Sequence, residues 1–391
     1  MTDTPPLRGL RVLELARILA GPWIGQTLAD LGADVIKVEA PEGDDTRGWG
    51  PPFVERQMPG GGFDRSAAYF HSANRGKRSV TADFRTEEGA ALVRRLAAQA
   101  DVLVENFKVG GLTKYGLDYA ALSAVNPRLI YCSVTGFGQD GPRAHQAGYD
   151  FMIQGMGGIM DLTGEPDGPP EKIGVAFADI FTGLYGVIAV QAALRTRDAT
   201  GRGQHIDMSL MDAMTGVLAN QAMNYLATGV SPRRLGNAHP NIVPYQVFEA
   251  ADGHIIIAVG NDGQFRRLCG VLGLEALAAD PRCASNAARV AARAEIVPLI
   301  EAATRTRPRD AMLAALEAAG VPAGPINRLE DVFADPQIVH RGMQIEVEGV
   351  PGVRSPMMFS ESGLALERAA PGLGQHDAEV RVELDALERG E

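Results

Sequence analysis

Cysteine is scarce in this chain, with three in 391 residues, Cys132, Cys269 and Cys283. So few, so far apart, exclude a disulfide framework and a thiolate zinc site. The seven histidines are dispersed, and no H-E-x-x-H or other ligand pair occurs, so no metal site is expected. Positive charge is outweighed: 37 Lys and Arg against 48 Asp and Glu leave a net charge of -11. That balance argues against a nucleic-acid partner, which needs a basic face. Gly and polar residues interrupt the longest apolar runs before the ~20 residues that span a bilayer, so no membrane partner is expected. The opening "MTDTPPLRGLRVLELA" has no basic stretch followed by an apolar one, and the expectation is a cytoplasmic protein. The usual phosphate-loop signatures are also missing. No G-x-G-x-x-G follows the first strand, where "LARILAGPWIG" puts Pro22 instead of a free N–H. There is no G-x-x-x-x-G-K-[ST] and no G-x-S-x-G. Nicotinamide chemistry is not expected.

What is present is an ordinary globular composition, 46% hydrophobic and 22% charged, long enough for about two domains. Over the first 137 residues short apolar runs alternate with helical patterns. "RVLELA", "DVIKVEA", "SVTADF", "DVLVEN" and "RLIYCSVTGF" read as strands, while "GPWIGQTLADLGA" and "TEEGAALVRRLAAQA" read as helices. Such alternation indicates βαβ units and a parallel sheet covered on both faces. Ligands of these sheets sit at the carboxyl ends of the strands, which draws attention to "RILAGP", "PEGDDTRGW", "NFKVGG" and "TGFGQDGP". The long stretch "APEGDDTRGWGPPFVERQMPGGG" reads as a loop. Further on, an apolar helix covers 180–198, "HIDMSL" is extended, and a helix is expected over 210–228. "QVFEAADGHIIIAVG" reads as a hairpin turning at "ADG", Ala-rich helices run to about residue 319, and "AGVPAGPINRL" reads as a return linker.

Two groups of residues invite a chemical role. "NRGKRS", residues 74–79, puts Arg75, Lys77 and Arg78 within four positions. Such a cluster is either a solvated edge or a phosphate patch in which Arg binds bidentately and Lys acts as a point charge. Arg47, in "DDTRGW", could join it. The second is Asp179, in "GVAFADIFTG", at the mouth of the apolar helix. Asp is a favoured N-cap. The same position suits a nucleophile, because a helix N-terminus favours negative charge and Asp carboxylates support covalent catalysis. Local physics alone does not rank these two roles.

The chain resembles the class III coenzyme A transferase family, which includes formyl-CoA and carnitine CoA-transferases and acyl-CoA racemases. The resemblance covers nearly the whole chain through "GLRVLELARILAGP", "LGADVIKVEAPEGDDTRGWGPP", "NRGKRSVTADF", "ADVLVENFKVGGLTKYGL", "NPRLIYCSVTGFGQDGP", "GYDFMIQGMGGIMDLTGEPDGPP", "VAFADIFTGLYG" and "TGRGQHIDMSLMDAM". It implies an α/β fold: a Rossmann-like large domain, residues 1–225 completed by 326–391, with a smaller α/β domain at 226–325. It also implies a homodimer of interlocked, ring-like chains. Asp179 takes the place of the family's nucleophile, which carries CoA through an aspartyl anhydride and an aspartyl-CoA thioester. Acyl-CoA and a carboxylic acid are then the substrates, with no permanently bound cofactor.

The resemblance also implies CoA contacts at Ile18 and Ala20 after the first strand, at the basic pair Lys77 and Arg78, at Asn106 and Phe107 of "ENF", and at Lys114, with Arg47 beside them. Ala40 stands where some members carry an Arg near the adenine. "VGNDGQF", residues 259–265, matches a glycine run that acts as a lid in formyl-CoA transferases, here interrupted by Asn261 and Asp262. The racemase branch carries a His in "G-H-D", where this chain has Tyr149 in "GYD". A phenol with an ordinary pKa near 10 is a poor base for that chemistry. A CoA-transferase is therefore the leading expectation, ahead of a racemase or a silent CoA binder. The strings around Asp179 and His239 look most like succinyl-CoA-using members, although a lone His is more often structural.

Overall fold

A computed structural model describes residues 4–58 and 61–390. Residue contacts divide the chain into two units. The first comprises Met1–Ile159, Lys172–Met223 and Pro336–Glu391, and the second Met160–Glu171 and Asn224–Asp335.

The first unit is built on a six-stranded parallel sheet. Its strands are β1 (Arg11–Glu14), β2 (Asp34–Glu39), β5 (Arg78–Thr81), β6 (Val102–Glu105), β7 (Ile130–Thr135) and β8 (His205–Ser209), in the order β5-β2-β1-β6-β7-β8. The stretch read as one long loop contains an antiparallel hairpin, β3 (Phe53–Gln57) and β4 (Phe63–Ala67). Its strands are short and rich in charged residues, so they lack the apolar signal of a buried strand.

Alternation along the buried strands sorts their side chains onto two faces. Val12, Val35, Val102, Val104, Ile130 and Cys132 form one core with helices α1 (Ala20–Asp30) and α4 (Phe177–Thr200). Leu13, Val38, Leu103 and Tyr131 form the other, with α2 (Glu87–Gln99) and the C-terminal helix Asp377–Arg389. Gly32, at φ +98°, closes the turn after α1 in a conformation that favours glycine. Thr86 caps α2, its hydroxyl accepting from the Gly89 N–H at 3.1 Å.

Helix α4 is long and apolar enough to cross a membrane by length and composition. In this fold it is a core helix, with Val187, Val190, Ala193 and Leu194 packed into the first core. It packs against α1 at two glycines: a Cβ on Gly186 would stand 2.4 Å from Ile24 Cδ1, and one on Gly183 3.0 Å from the Ala20 carbonyl. The pattern read as one helix over 210–228 is two, Leu210–Gly216 and Ala219–Thr228. Ala219, which opens the second, has φ +46°.

The second unit has a separate core. Its three-stranded antiparallel sheet runs β9 (Tyr245–Ala250), β10 (Gly253–Ala258) and β11 (Ala323–Pro325), with β10 in the middle. The expected hairpin is β9–β10, and the segment read as a linker supplies the third strand. Helix α5 (Asp262–Leu272) and the helices after it cover one face around Phe248, Ile255, Phe265 and Leu316.

Candidate active site

The β1–β2 crossover runs to one side of β1, and the chain then returns through α2 to place β6 on the other side. The strand order therefore reverses between β1 and β6. In doubly wound sheets the ligand crevice opens at this switch, beyond the strands' carboxyl ends. A cavity of about 890 Å³ opens there, lined by the segments after β1, β2, β5, β6 and β7.

Its walls begin with the loop after β1. Ile18 sits at φ +70°, a strained value for a β-branched residue. Two neighbours hold it there. The Ile18 N–H donates to the Asp44 carboxylate at 3.3 Å, and Asn106 exchanges hydrogen bonds with the Arg17 backbone at 2.9 and 2.7 Å. Phe107, Phe84 and Tyr115 form an edge-to-face aromatic wall with centroids 5.3–5.4 Å apart. Ala20 opens α1 beside them, and no side chain caps that helix end. Lys108 and Lys114 are exposed at the cavity, and neither is in a salt bridge among the described residues. Lys114 lies over the Tyr115 ring at 4.8 Å.

Asp179 also lines this cavity. It occupies the third position of α4, three residues beyond the N-cap Ala176, so its side chain is not the helix cap. The cap comes from elsewhere. The Asp150 carboxylate, in the first turn of α3 (Asp150–Met156), accepts the Ala178 N–H at 2.8 Å and the Asp179 N–H at 3.3 Å. Those N–H groups have no partner inside the helix. No donor among the described residues reaches the Asp179 carboxyl itself. Burial, reinforced by the Asp150 charge, pushes its pKa up to about 7. Such a carboxyl is basic and poorly solvated, hence reactive once ionised. The Tyr69 phenol faces the same acids; burial and the charges of Asp179 and Asp150 push it up to about 12.

Of the residues expected to bind ligand, Ile18, Ala20, Asn106, Phe107, Lys114 and Asp179 come together around this cavity. Arg47, Lys77 and Arg78 do not line it, and the expected phosphate patch does not form from them. Arg47 is clamped on Glu39 at 2.7 and 2.8 Å and stacks 3.7 Å from the Phe70 ring centroid. Lys77 is fully buried, bonded to Glu14 at 2.8 Å, the Pro22 carbonyl at 2.9 Å and Asn74 at 2.8 Å. Burial, with Lys37 nearby, pulls its pKa down to about 8 despite Glu14. Arg78 pairs with Asp34, Glu379 and Glu383. It opens β5, and strand amino ends lie opposite the cavity. Arg75 is held by Asp30 at 2.7 Å. Each of these cations already has its anion.

Tyr149 lines the cavity and is exposed. Residues 259–265 lie in the second unit and are well anchored within it. Asn261 caps α5 through the Gln264 N–H at 2.9 Å, and Asp262 pairs at 2.8 Å with the fully buried Arg289. His239 accepts the Asn241 N–H at 3.0 Å through Nδ1. Asp150 and Lys108 lie in the motifs "GYD" and "ENFKVGG", but neither was assigned a role there. Lys108 lies in the post-strand segment "NFKVGG", where position alone recommended it.

The fold and the switch-point cavity define a doubly wound α/β protein built around one large ligand cavity. The sequence profile of CoA-transferase family III matches residues 7–377. An Agrobacterium fabrum protein described as succinate–glutarate CoA-transferase is 58% identical, over 100% of this chain and 99% of its own length. The succinyl-CoA:glutarate CoA-transferase of Mus musculus is 40% identical over 98% of this chain and 88% of its own. A crystal structure of a CaiB/BaiF family protein from Brucella suis matches with a TM-score of 0.88 at 66% identity, covering 98% of this chain and 100% of that one. The chain belongs to CoA-transferase family III, enzymes that transfer coenzyme A.

Proposed function

We propose that this enzyme moves CoA from succinyl-CoA to another dicarboxylic acid, with Asp179 carrying the acyl group and then the CoA. The observation that carries this reading is the Asp179 carboxyl itself: half-buried, without a hydrogen-bond donor among the described residues, and facing the cavity. The names of the two similar transferases support the substrate class.

The Asp179 carboxylate attacks the thioester carbonyl, and the CoA thiolate leaves, giving a mixed anhydride. The thiolate then attacks the aspartyl carbonyl, releasing the donor acid and leaving an aspartyl-CoA thioester. The acceptor carboxylate attacks that thioester to form a second anhydride. Attack by the thiolate on its acyl carbon yields the new acyl-CoA and regenerates the Asp179 carboxylate. In this reading Ile18, Ala20, Asn106 and Phe107 wall the CoA, and Lys108 and Lys114 meet its phosphates as mobile point charges. Arg47, Lys77 and Arg78 support the walls from behind. CoA is a substrate throughout, and no resident cofactor is part of the scheme. Tyr149 in place of a His disfavours the racemase reading.

The active form in this proposal is a homodimer. Exposed Phe151 and Met152 on α3 and Tyr185 and Ile188 on α4 support an apolar contact, and light scattering reads the mass directly. An exchange screen tests the function, with succinyl-CoA offered to a panel of mono- and dicarboxylates. Incubation without acceptor, followed by hydroxylamine or borohydride and peptide mass spectrometry, is expected to find the adduct on Asp179. An adduct elsewhere, or α-proton exchange without CoA exchange, overturns the scheme.

A further inference from the structure

Asp179 owes its placement to residues outside its own helix. Helix α4 starts at Phe177, and its N-cap Ala176 supplies no side-chain cap; among the described residues the Asp179 carboxyl has no donor to hold it. What fixes that carboxyl is therefore the backbone it hangs from. The Asp179 and Ala178 N–H groups are both held by Asp150 Oδ1. Asp150 is held in turn. Its Oδ2 accepts from Gln154 Nε2 at 2.8 Å, one turn along α3. Gln154 is fully buried and uses its amide completely: Nε2 also reaches the Val175 carbonyl at 3.3 Å, and Oε1 accepts the Ile173 N–H at 2.9 Å. One buried amide thus fixes both the capping carboxylate and the chain leading into α4.

We propose that Asp150 is the positioning residue of this active site: held by Gln154, it seats the first turn of α4 so that Asp179 meets the thioester carbonyl, and it sets a negative charge beside that nucleophile. The inference rests on the proposed role of Asp179 as nucleophile. An acid used only as a helix cap needs no negative charge, since Asn caps about as well as Asp. Here the charge acts on a second, half-buried acid, which a purely structural cap would be better without. The other titratable group facing the pair is Tyr69, on the short helix Ala68–Ser72. His145 and Tyr149 line the same cavity.

The test uses three full-length proteins: wild type, Asp150→Asn and Asp150→Ala. The rate of Asp179 adduct formation is followed in a single turnover with succinyl-CoA across pH 5 to 9. Asp150→Asn keeps an oxygen acceptor for both N–H groups and loses the charge. Its amide NH2 replaces the oxygen that accepts from Gln154 Nε2, donor against donor, so it is expected to fold with a lower Tm than wild type and to shift the acid limb of the rate profile to lower pH, because Asp179 then ionises more easily. Asp150→Ala loses the seat as well. Displacement of about an ångström costs on the order of a hundredfold in rate, so kcat is expected to fall by that factor while KM for succinyl-CoA stays near wild type. Circular dichroism and Tm confirm that both variants fold. If Asp150→Ala fails to fold, the Asn profile decides alone. A wild-type acid limb in Asp150→Asn, or wild-type kcat in a folded Asp150→Ala, overturns the inference while leaving Asp179 as nucleophile. Absence of an Asp179 adduct in the wild type overturns both.

Discussion

At the residue scale, Asp179 exchanges stability for reactivity. Its carboxyl ionises near pH 7 in the folded chain, against 3.8 as the ordinary value. Between those pH values the folded state binds a proton that the unfolded state has released, so stability falls as pH rises through this window. Asp179→Asn removes that liability. The variant is expected to melt higher than wild type above pH 7 and at the same temperature near pH 3.5, while exchange falls by several orders of magnitude. A calorimetric series in pH checks the first outcome and an exchange assay the second; near-normal turnover would remove Asp179 from the mechanism. The two lysines expected to act alike separate in the same way. Lys77 is enclosed, with Glu14 as its anion, so Lys77→Met is expected to cost about 3 kcal/mol, the lower end for breaking a buried pair. The lower end applies because Lys37 still contacts Glu14 at 3.1 Å. Lys114→Ala, at an exposed site on the cavity, is expected to raise KM for acyl-CoA with kcat kept, the mark of uniform binding. A rise in KM in a stable Lys77→Met protein would reverse these roles.

At the element scale, the site depends on how closely two backbones approach. Gly136, just after β7, lies against Gly148, two residues before Asp150; a Cβ on Gly136 would stand 2.5 Å from Gly148 Cα. No side chain fits between them, so the end of the sheet fixes the start of α3, and α3 carries the acid that seats α4. Gly136→Ala forces the backbones apart. The expected cost is about 1–3 kcal/mol in stability, together with a kcat loss resembling that of Asp150→Ala. A stable variant with full activity would show that the contact does not transmit to the site. The elements themselves were largely legible in the sequence, because buried parallel strands are continuous apolar runs and their helices carry caps and amphipathic stripes. The charged β3–β4 hairpin and the three-residue β11 lack that pattern, since tertiary pairing and not local preference makes them strands. Asp179 was legible as a residue at the helix mouth, but its capping by Asp150 was not, because the partners are 29 positions apart. The basic cluster misled for a reason the sequence did contain: "KRS" lies at the start of its strand, while the ligand crevice lies beyond the strands' other ends.

At the scale of the whole molecule, the two units have separate cores. The two sheet faces draw only on residues of the first unit, and the third core, from Phe248 to Val321, only on residues of the second. Every residue lining the switch-point cavity also belongs to the first unit. A ligand stabilises what it binds in the folded state, by about 2.7 kcal/mol at a hundred times its Kd. CoA at that concentration is therefore expected to raise the protection of slowly exchanging amides in β1, β6 and β7 by this amount. Amides of β9 and β10 in the second unit are expected to change much less. Native-state hydrogen exchange, with and without CoA, resolves the two sets, since protection reports local stability along the chain. Equal gains in both units would mean either that they unfold as one cooperative body or that the second unit also contacts the ligand. Repeating the comparison with Lys114→Ala separates these cases. Under single-body unfolding, any loss of CoA affinity lowers the gain equally in both units. Under direct contact, the second unit retains a gain that the first has lost.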